Sequence, residues 1–152
     1  MDSVIAVPPS VSLLIAMQFA AFGWRVNREI SVGDRGEKTW VPVTDVLNVI
    51  NFFLVTLFCV VIPIITNEFG LYSRAFLACG FTLMFFYPFN MLGHYELLTG
   101  KGRVEYAKPK EDAKTLDFTL LIYCPRQERV MVLFSFLVAI AVWLLVIFKS
   151  PM

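Results

Sequence analysis

Residues 130–148 read VMVLFSFLVAIAVWLLVIF, a run of 19 residues without a charged side chain. Three further uncharged runs occupy residues 4–24, 46–66 and 75–95. A helix rises about 1.5 Å per residue, so about 20 apolar residues cross a hydrocarbon core of about 30 Å. The sequence therefore predicts an all-α membrane protein, with these four runs as the transmembrane helices of one domain that spans residues 1–152.

The composition supports the membrane class. Of the 152 residues, 58% are hydrophobic and 16% are charged, whereas soluble domains average about half and about a quarter. The charges are gathered in blocks between the apolar runs, so an ordinary soluble domain is excluded. The first run has no basic residue before it and no small-residue cleavage site after it, and we expect it to remain as a helix.

Basic residues predict the orientation. Eleven of the thirteen Lys and Arg side chains lie in loop one (residues 25–45) and loop three (residues 96–129). Lys and Arg concentrate in cytoplasmic loops. The pattern therefore predicts that loops one and three are cytoplasmic and that both termini are outside, in a bacterial inner membrane or a plasma membrane.

Loop one has the pattern of a small β-hairpin. Residues 28–32 and 37–43 flank Gly33-Asp34-Arg35-Gly36, a composition typical of a tight turn. Pro42 would confine the second arm to a sheet edge. Thr44 or Asp45 would then cap the second transmembrane helix.

Loop three also contains alternating segments, at residues 103–106 and 118–124, although Leu116, Leu120 and Tyr123 fit a helix almost equally well. Alternation of polar and apolar side chains is typical of half-buried strands. We therefore predict a small β-containing cytoplasmic cap formed by loops one and three, residues 25–45 and 96–129.

A layer of polar side chains is predicted within roughly two helical turns of the cytoplasmic ends, and its members are Gln18, Asn48, Asn51, Asn90 and Ser135. One interpretation is a set of interhelical hydrogen bonds, each worth about 0.6 to 2 kcal/mol. The other is a wet vestibule closed by a phenylalanine-rich constriction. The axis of a filled four-helix bundle has no room for water, so a pore requires several copies. Steps of small residues that permit such association are Ala16/Ala20, Ala75/Ala78 and Ser135/Ala139.

A basic cluster in loop three is a candidate binding site, and it comprises Lys101, Arg103, Lys108 and Lys110. Anionic lipid headgroups attract such clusters at a membrane surface. A nucleotide or oligonucleotide ligand is the alternative, because a symmetric oligomer would concentrate the positive charge.

The sequence contains few of the residues that enzymes, proton-coupled transporters and ion pumps need. The four runs contain no Asp, Glu, Lys or Arg at depth, and proton-coupled transporters and ion pumps usually need such groups. The three cysteines form no CxxC motif. His94, Glu96 and Cys124 lack a second ligand pair and a base with its orienting partner. We therefore predict no catalytic residue, no metal and no cofactor, and a satisfied histidine at the membrane boundary.

These observations lead to two functional expectations. The first is a homo-oligomeric pore or effector in the lipid bilayer, gated through its cytoplasmic cap by an anionic ligand or a partner protein. The second is a non-catalytic accessory or assembly subunit of a larger membrane complex. Neither is an enzyme.

Overall fold

The computed structural model describes residues 7–33, 41–94, 122–123 and 126–149. Its long helices are α1 (Pro9–Gly33), α2 (Val43–Thr66), α3 (Leu71–His94) and α4 (Arg126–Lys149). Helices α2, α3 and α4 are long and apolar enough to cross a membrane. Helix α1 is not among them.

The helices pack antiparallel to their neighbours in the chain. Phe19 of α1 contacts Phe52 of α2, and Phe58 of α2 stacks on Phe76 of α3. The longest contact joins α3 to α4, from Gly93 beside Glu128 to Phe76 against Trp143. The core lies between α1, α2 and α3, and its buried residues are Val11, Leu14, Val55, Cys59, Met84, Tyr87 and Met91.

Loop one is shorter than predicted because α1 continues through its first part. The predicted hairpin is wrong there, since residues 28–32 are helical. Arg25 and Glu29 form an i, i+4 ion pair at 2.7 Å, and the Ser31 hydroxyl donates to the Asn27 carbonyl. These contacts support helix over the alternation that suggested a strand. The predicted turn at residues 34–36 lies outside the described residues.

Two short strands connect loops one and three. Strand β1 (Val41–Pro42) pairs in parallel with β2 (Ile122–Tyr123), with Val41 opposite Ile122. Both strands of a two-stranded sheet are edge strands. Pro42, which has no N–H to donate, is tolerated in such a strand. The other predicted cap segments, including 103–106, lie outside the described residues.

Helix α2 begins differently from the prediction. Its N-cap residue is Pro42, which offers no side-chain hydrogen bond. Thr44 and Asp45 already belong to the first turn, and the acceptor for the Thr44 N–H comes from Glu128 of α4. The capping group is supplied by tertiary packing because a proline side chain has no acceptor to give.

The second half of α2 contains a π-helical turn, Leu57–Val61, followed by a last α-helical turn, Ile62–Thr66. It lies just before Pro63, whose ring would clash with the Cys59 carbonyl in a regular α-helix. The helix ends at Thr66, and its C-cap residue Asn67 takes the left-handed conformation with φ 58°. Asparagine tolerates that conformation well.

Gly93 allows α3 and α4 to approach closely, which gives a first prediction. A Cβ at this position would lie 3.1 Å from the backbone of Gln127 and 3.2 Å from Glu128 Cα. Backbone atoms cannot rotate away, so we expect Gly93→Ala to lower the free energy of unfolding by about 1 to 3 kcal/mol. Unfolding in detergent measures it. Gly70→Ala is the control, because its Cβ would meet only the Glu68 side chain, at 3.9 Å. Equal effects of both substitutions would contradict this packing.

Candidate functional site

Charged and polar side chains gather at one end of the bundle, where loops one and three leave the helices. We call this cluster the boundary network, and its members are Arg25, Glu29, Thr44, Asp45, Tyr87, His94 and Glu128. It draws residues from all of α1, α2, α3 and α4. The network is therefore a connection between the helices and the starting points of both loops.

Glu128 is the centre of the first half of the network, with 0% of its surface exposed. The Thr44 N–H and hydroxyl both donate to Glu128 Oε1, at 3.1 Å each. The Nδ1 atom of His94 lies 2.8 Å from Glu128 Oε2. With Glu128 as a carboxylate, Nδ1–H is the donor of that bond. One carboxylate thus joins α2, α3 and α4.

Arg25 is the centre of the second half. Its Nε donates to Asp45 Oδ2 at 2.5 Å, and its guanidinium also pairs with Glu29. The Tyr87 hydroxyl donates to Asp45 Oδ1 at 2.7 Å. Asp45 therefore accepts from α1 and α3 at once. Because Thr44 and Asp45 are adjacent in α2, the two halves form one continuous network.

Helix dipoles favour this distribution of charge. Glu128 lies in the first turn of α4 and against the first turn of α2, where partial positive charge accumulates. His94 is in the last turn of α3, where partial negative charge accumulates. Burial of the ionic groups is tolerable here because both carboxylate oxygens of Glu128 are hydrogen-bonded.

Three members of the network are shielded from solvent. Thr44, His94 and Glu128 are between 0% and 4% exposed. The Thr44 hydroxyl donates to Glu128 and not to His94, so the histidine does not activate it as a base would. The geometry suits a coupling element between the loops and the helices.

The predicted polar layer divides into two groups. All five side chains are buried, namely Gln18, Asn48, Asn51, Asn90 and Ser135. Asn90 Nδ2 donates to the Ser135 hydroxyl at 3.1 Å, and Asn51 Nδ2 donates to the Gly80 carbonyl at 3.3 Å. Asn51, Asn90 and Ser135 thus form hydrogen bonds between α2, α3 and α4 of a single copy. They therefore match the hydrogen-bonding interpretation.

Gln18 and Asn48 form the other group, in a cleft between α1 and α2. Neither amide atom of Gln18 has a hydrogen-bond partner among the described residues, and the same is true of Asn48 Oδ1. The cleft has a volume of about 170 Å³ and is otherwise lined by apolar side chains, chiefly Phe19, Phe22, Phe52 and Phe53.

The small residues that were predicted to permit association differ in their exposure to solvent. Ala75, Ser135 and Ala139 are buried inside the single copy. Ala16 and Ala20 are exposed, and together with Ser12, Gly23 and Asn27 they form what we call the small-residue face of α1. At about 100° per residue, these five positions fall within an arc of about 80°. Gln18 lies on roughly the opposite side of α1.

The predicted basic cluster, Lys101, Arg103, Lys108 and Lys110, lies outside the described residues. His94 finds its partner in Glu128, whereas Glu96 and Cys124 also lie outside the described residues.

The boundary network itself was missed by sequence reasoning. Its charges stand at the edges of the apolar runs, where they resemble ordinary loop residues. A usable signal was present, since ionisable groups at such positions tend to pair with one another.

Comparisons with protein-family models, with characterised proteins and with solved structures find no match to this chain. The functional conclusion therefore rests on the boundary network, the α1–α2 cleft and the small-residue face.

Proposed function

We propose that the protein is a membrane effector that assembles as a homo-oligomer through α1 and opens a pore under control of its cytoplasmic loops. The observation that carries the proposal is the exposed small-residue face of α1, Ser12, Ala16, Ala20, Gly23 and Asn27. Small residues let helix backbones approach closely in a membrane. Contact with lipid alone would not explain the polar residues Ser12 and Asn27 at the two ends of this face.

In this proposal α1 is the fourth transmembrane helix. Its lower hydropathy follows from a role between copies, where part of its surface meets protein or water instead of lipid. The boundary-network end lies in the cytoplasm and both termini lie outside, in an inner or plasma membrane. The basic residues of loops one and three support this orientation.

Control of the pore passes through the boundary network. Helix α3 ends at His94 and α4 begins at Arg126, and His94 and Glu128, close to these two ends, are hydrogen-bonded to each other. Loop one separates Arg25 from Asp45, which also form an ion pair. A ligand or partner protein that reorganises the cap of residues 25–45 and 96–129 would act directly on these bonds. An anionic ligand at Lys101, Arg103, Lys108 and Lys110 is our candidate trigger.

The proposal predicts a position-specific effect of bulk on α1. Ala20→Phe is expected to prevent assembly and to reduce channel activity at least tenfold, because its ring would separate neighbouring α1 helices. Ala141→Phe, at an exposed alanine of α4, is the matched control and should leave both unchanged. Mass in detergent and single-channel recording in planar bilayers measure the two properties.

Recordings are made without ligand and with ATP or a short oligonucleotide as the anionic probe. A monomer by mass, or an oligomer that never conducts under any of these conditions, would contradict the proposal. A disulfide formed between copies by Ala20→Cys, but not by Ala141→Cys, would support the α1 contact independently.

A second candidate is a non-catalytic accessory or assembly subunit. The observation that favours it is the internal bonding of Asn51, Asn90 and Ser135, which removes these side chains from any aqueous path between copies. The small-residue face would then receive a helix of a different protein. Affinity purification in mild detergent distinguishes the candidates, because stoichiometric foreign subunits favour the accessory role and a homo-oligomer favours the pore.

A further inference from the structure

We propose that α1 has two positions along α2, about one helical turn apart. The ion pair between Arg25 and Asp45 holds the position described above, and a hydrogen bond between Gln18 and Asn48 holds the other. The starting point is Gln18, which is 2% exposed and whose two amide atoms have no partner among the described residues. Asn48 Oδ1 also has no partner within this part of the chain.

The partner of these amides must come from the protein itself. The three atoms are buried, and the other described residues that line the cleft beside them are apolar. Solvent and ligands therefore do not reach them, although a buried amide without a partner is costly in apolar surroundings. Gln18 Nε2 is a donor and Asn48 Oδ1 is an acceptor, so each can satisfy the other.

The present register of the two helices keeps Gln18 and Asn48 at different heights. Arg25 of α1 faces Asp45 of α2, and Phe19 faces Phe52, with ring centroids 5.1 Å apart. Because the helices are antiparallel, Gln18 stands level with about residue 52. Asn48 is four residues nearer to the boundary network, which is about 6 Å along the helix axis.

A movement of α1 by one turn towards the boundary network would bring Gln18 level with Asn48. Leu14, which is four residues before Gln18 and fully buried, would take the place of Gln18. An apolar side chain would then occupy the apolar surroundings, and the amide of Gln18 would enter the cleft that Asn48 lines. Movement of one helix past another by one turn is an established form of protein switching.

The Arg25–Asp45 ion pair opposes this movement. In the second position Ala21 would stand level with Asp45, and Arg25 would lie one turn farther towards the loops. Arg25 would keep its ion pair with Glu29, because both belong to α1. Asp45 would keep the Tyr87 hydroxyl as a donor. The main exchange is therefore one ion pair between α1 and α2 for one hydrogen bond between the same helices.

This device does not depend on the pore proposal. Loop one joins Arg25 to Asp45, so a partner or ligand that reorganises this loop has a direct route to the position of α1. Cross-linking reports that position whether or not the protein conducts. Failure of the channel experiment would leave this inference standing, and failure of the cross-linking experiment would leave the channel experiment unaffected.

Cross-linking of cysteine pairs in the full-length protein, in lipid nanodiscs, distinguishes the two positions. Phe19→Cys with Phe52→Cys reports the described position, in which the two rings are in contact. Ile15→Cys with Phe52→Cys reports the second position, because Ile15 is one turn before Phe19 on the same side of α1. A short bifunctional methanethiosulfonate reagent links each pair, and mass spectrometry gives the rate. Single-cysteine variants measure the background from the three native cysteines.

The 19–52 pair is expected to link at least about tenfold faster than the 15–52 pair in the otherwise wild-type protein. Arg25→Met should shift the ratio of the two rates at least about tenfold towards the 15–52 pair. Asp45→Asn should do the same while it keeps an acceptor for Tyr87. Arg74→Met, at an exposed arginine near the other end of the bundle, is the matched control and should leave the ratio unchanged.

Gln18→Leu tests the hydrogen bond of the second position. It should reverse the shift in both release variants, and it should lower the 15–52 rate of the otherwise wild-type protein at least about tenfold. The proposal is overturned if Arg25→Met and Asp45→Asn both leave the ratio unchanged, or if Gln18→Leu leaves the 15–52 rate unchanged. Gln18→Leu places an apolar side chain in apolar surroundings, so this arm decides the proposal even if the release variants do not fold.

Discussion

Replacing Glu128 with alanine is expected to lower the free energy of unfolding by about 3 to 5 kcal/mol, the largest single effect in this protein. The substitution leaves the Thr44 N–H and hydroxyl without their acceptor, and it takes from His94 the carboxylate on Nδ1. These groups stay buried, so water cannot replace the lost bonds. Reversible unfolding in detergent or bicelles measures the change.

The controls for Glu128 separate charge from hydrogen bonding. Glu128→Gln keeps an acceptor for Thr44 and should cost less than Glu128→Ala. Glu68→Ala removes an exposed glutamate near the other end of the bundle and should stay within about 0.5 kcal/mol of wild type. A double-mutant cycle with His94→Ala should give a coupling energy of about 1 to 3 kcal/mol. A loss of less than about 1 kcal/mol in Glu128→Ala would contradict the central role of this carboxylate.

Replacing Arg25 with methionine is expected to cost about 3 kcal/mol and to loosen α1 selectively. Methionine retains apolar bulk similar to the arginine stem but removes the donors to Asp45 and Glu29. Asp45 would keep the Tyr87 hydroxyl of α3 as a donor but would lose its ion pair with α1. We therefore expect faster amide hydrogen exchange in α1, with little change in the α3–α4 pair.

Arg74→Met is the matched control for Arg25, because Arg74 is an exposed arginine in the first turns of α3, near the other end of the bundle. It should affect neither the unfolding free energy nor the exchange of α1. Uniform exchange changes across all helices in Arg25→Met would show that Arg25 supports the whole bundle and does not specifically retain α1. The distinction matters for the proposed function, because α1 carries the small-residue face.

The positions of the helices could be predicted from the sequence to within a few residues at most ends. The run 130–148 lies within Arg126–Lys149, and the run 46–66 lies within Val43–Thr66. Hydrophobic length is a local property, so it can be read from consecutive residues. The extension of α1 through residue 33 could not be read in this way, because charges at 25, 28 and 29 look like a loop until their pairing is known.

The candidate sites depended much more on packing. Burial of the predicted polar layer follows from its position in apolar helices, but its bonding does not. Whether an amide finds a partner is decided by the neighbouring helix, which gives Asn90 a serine hydroxyl and offers Gln18 no partner among the described residues. The sequence could not distinguish these two cases.

Composition and run length were enough to establish the apolar helices and the concentration of basic charge in loops one and three, because neither property requires knowledge of contacts. Tertiary packing was needed to establish that Glu128 caps α2, that Arg25 joins α1 to Asp45, and that the small-residue face of α1 is exposed. Thr44 and Glu128 are 84 positions apart, and they meet because the antiparallel pairs α2–α3 and α3–α4 bring the first turns of α2 and α4 to the same end of the bundle.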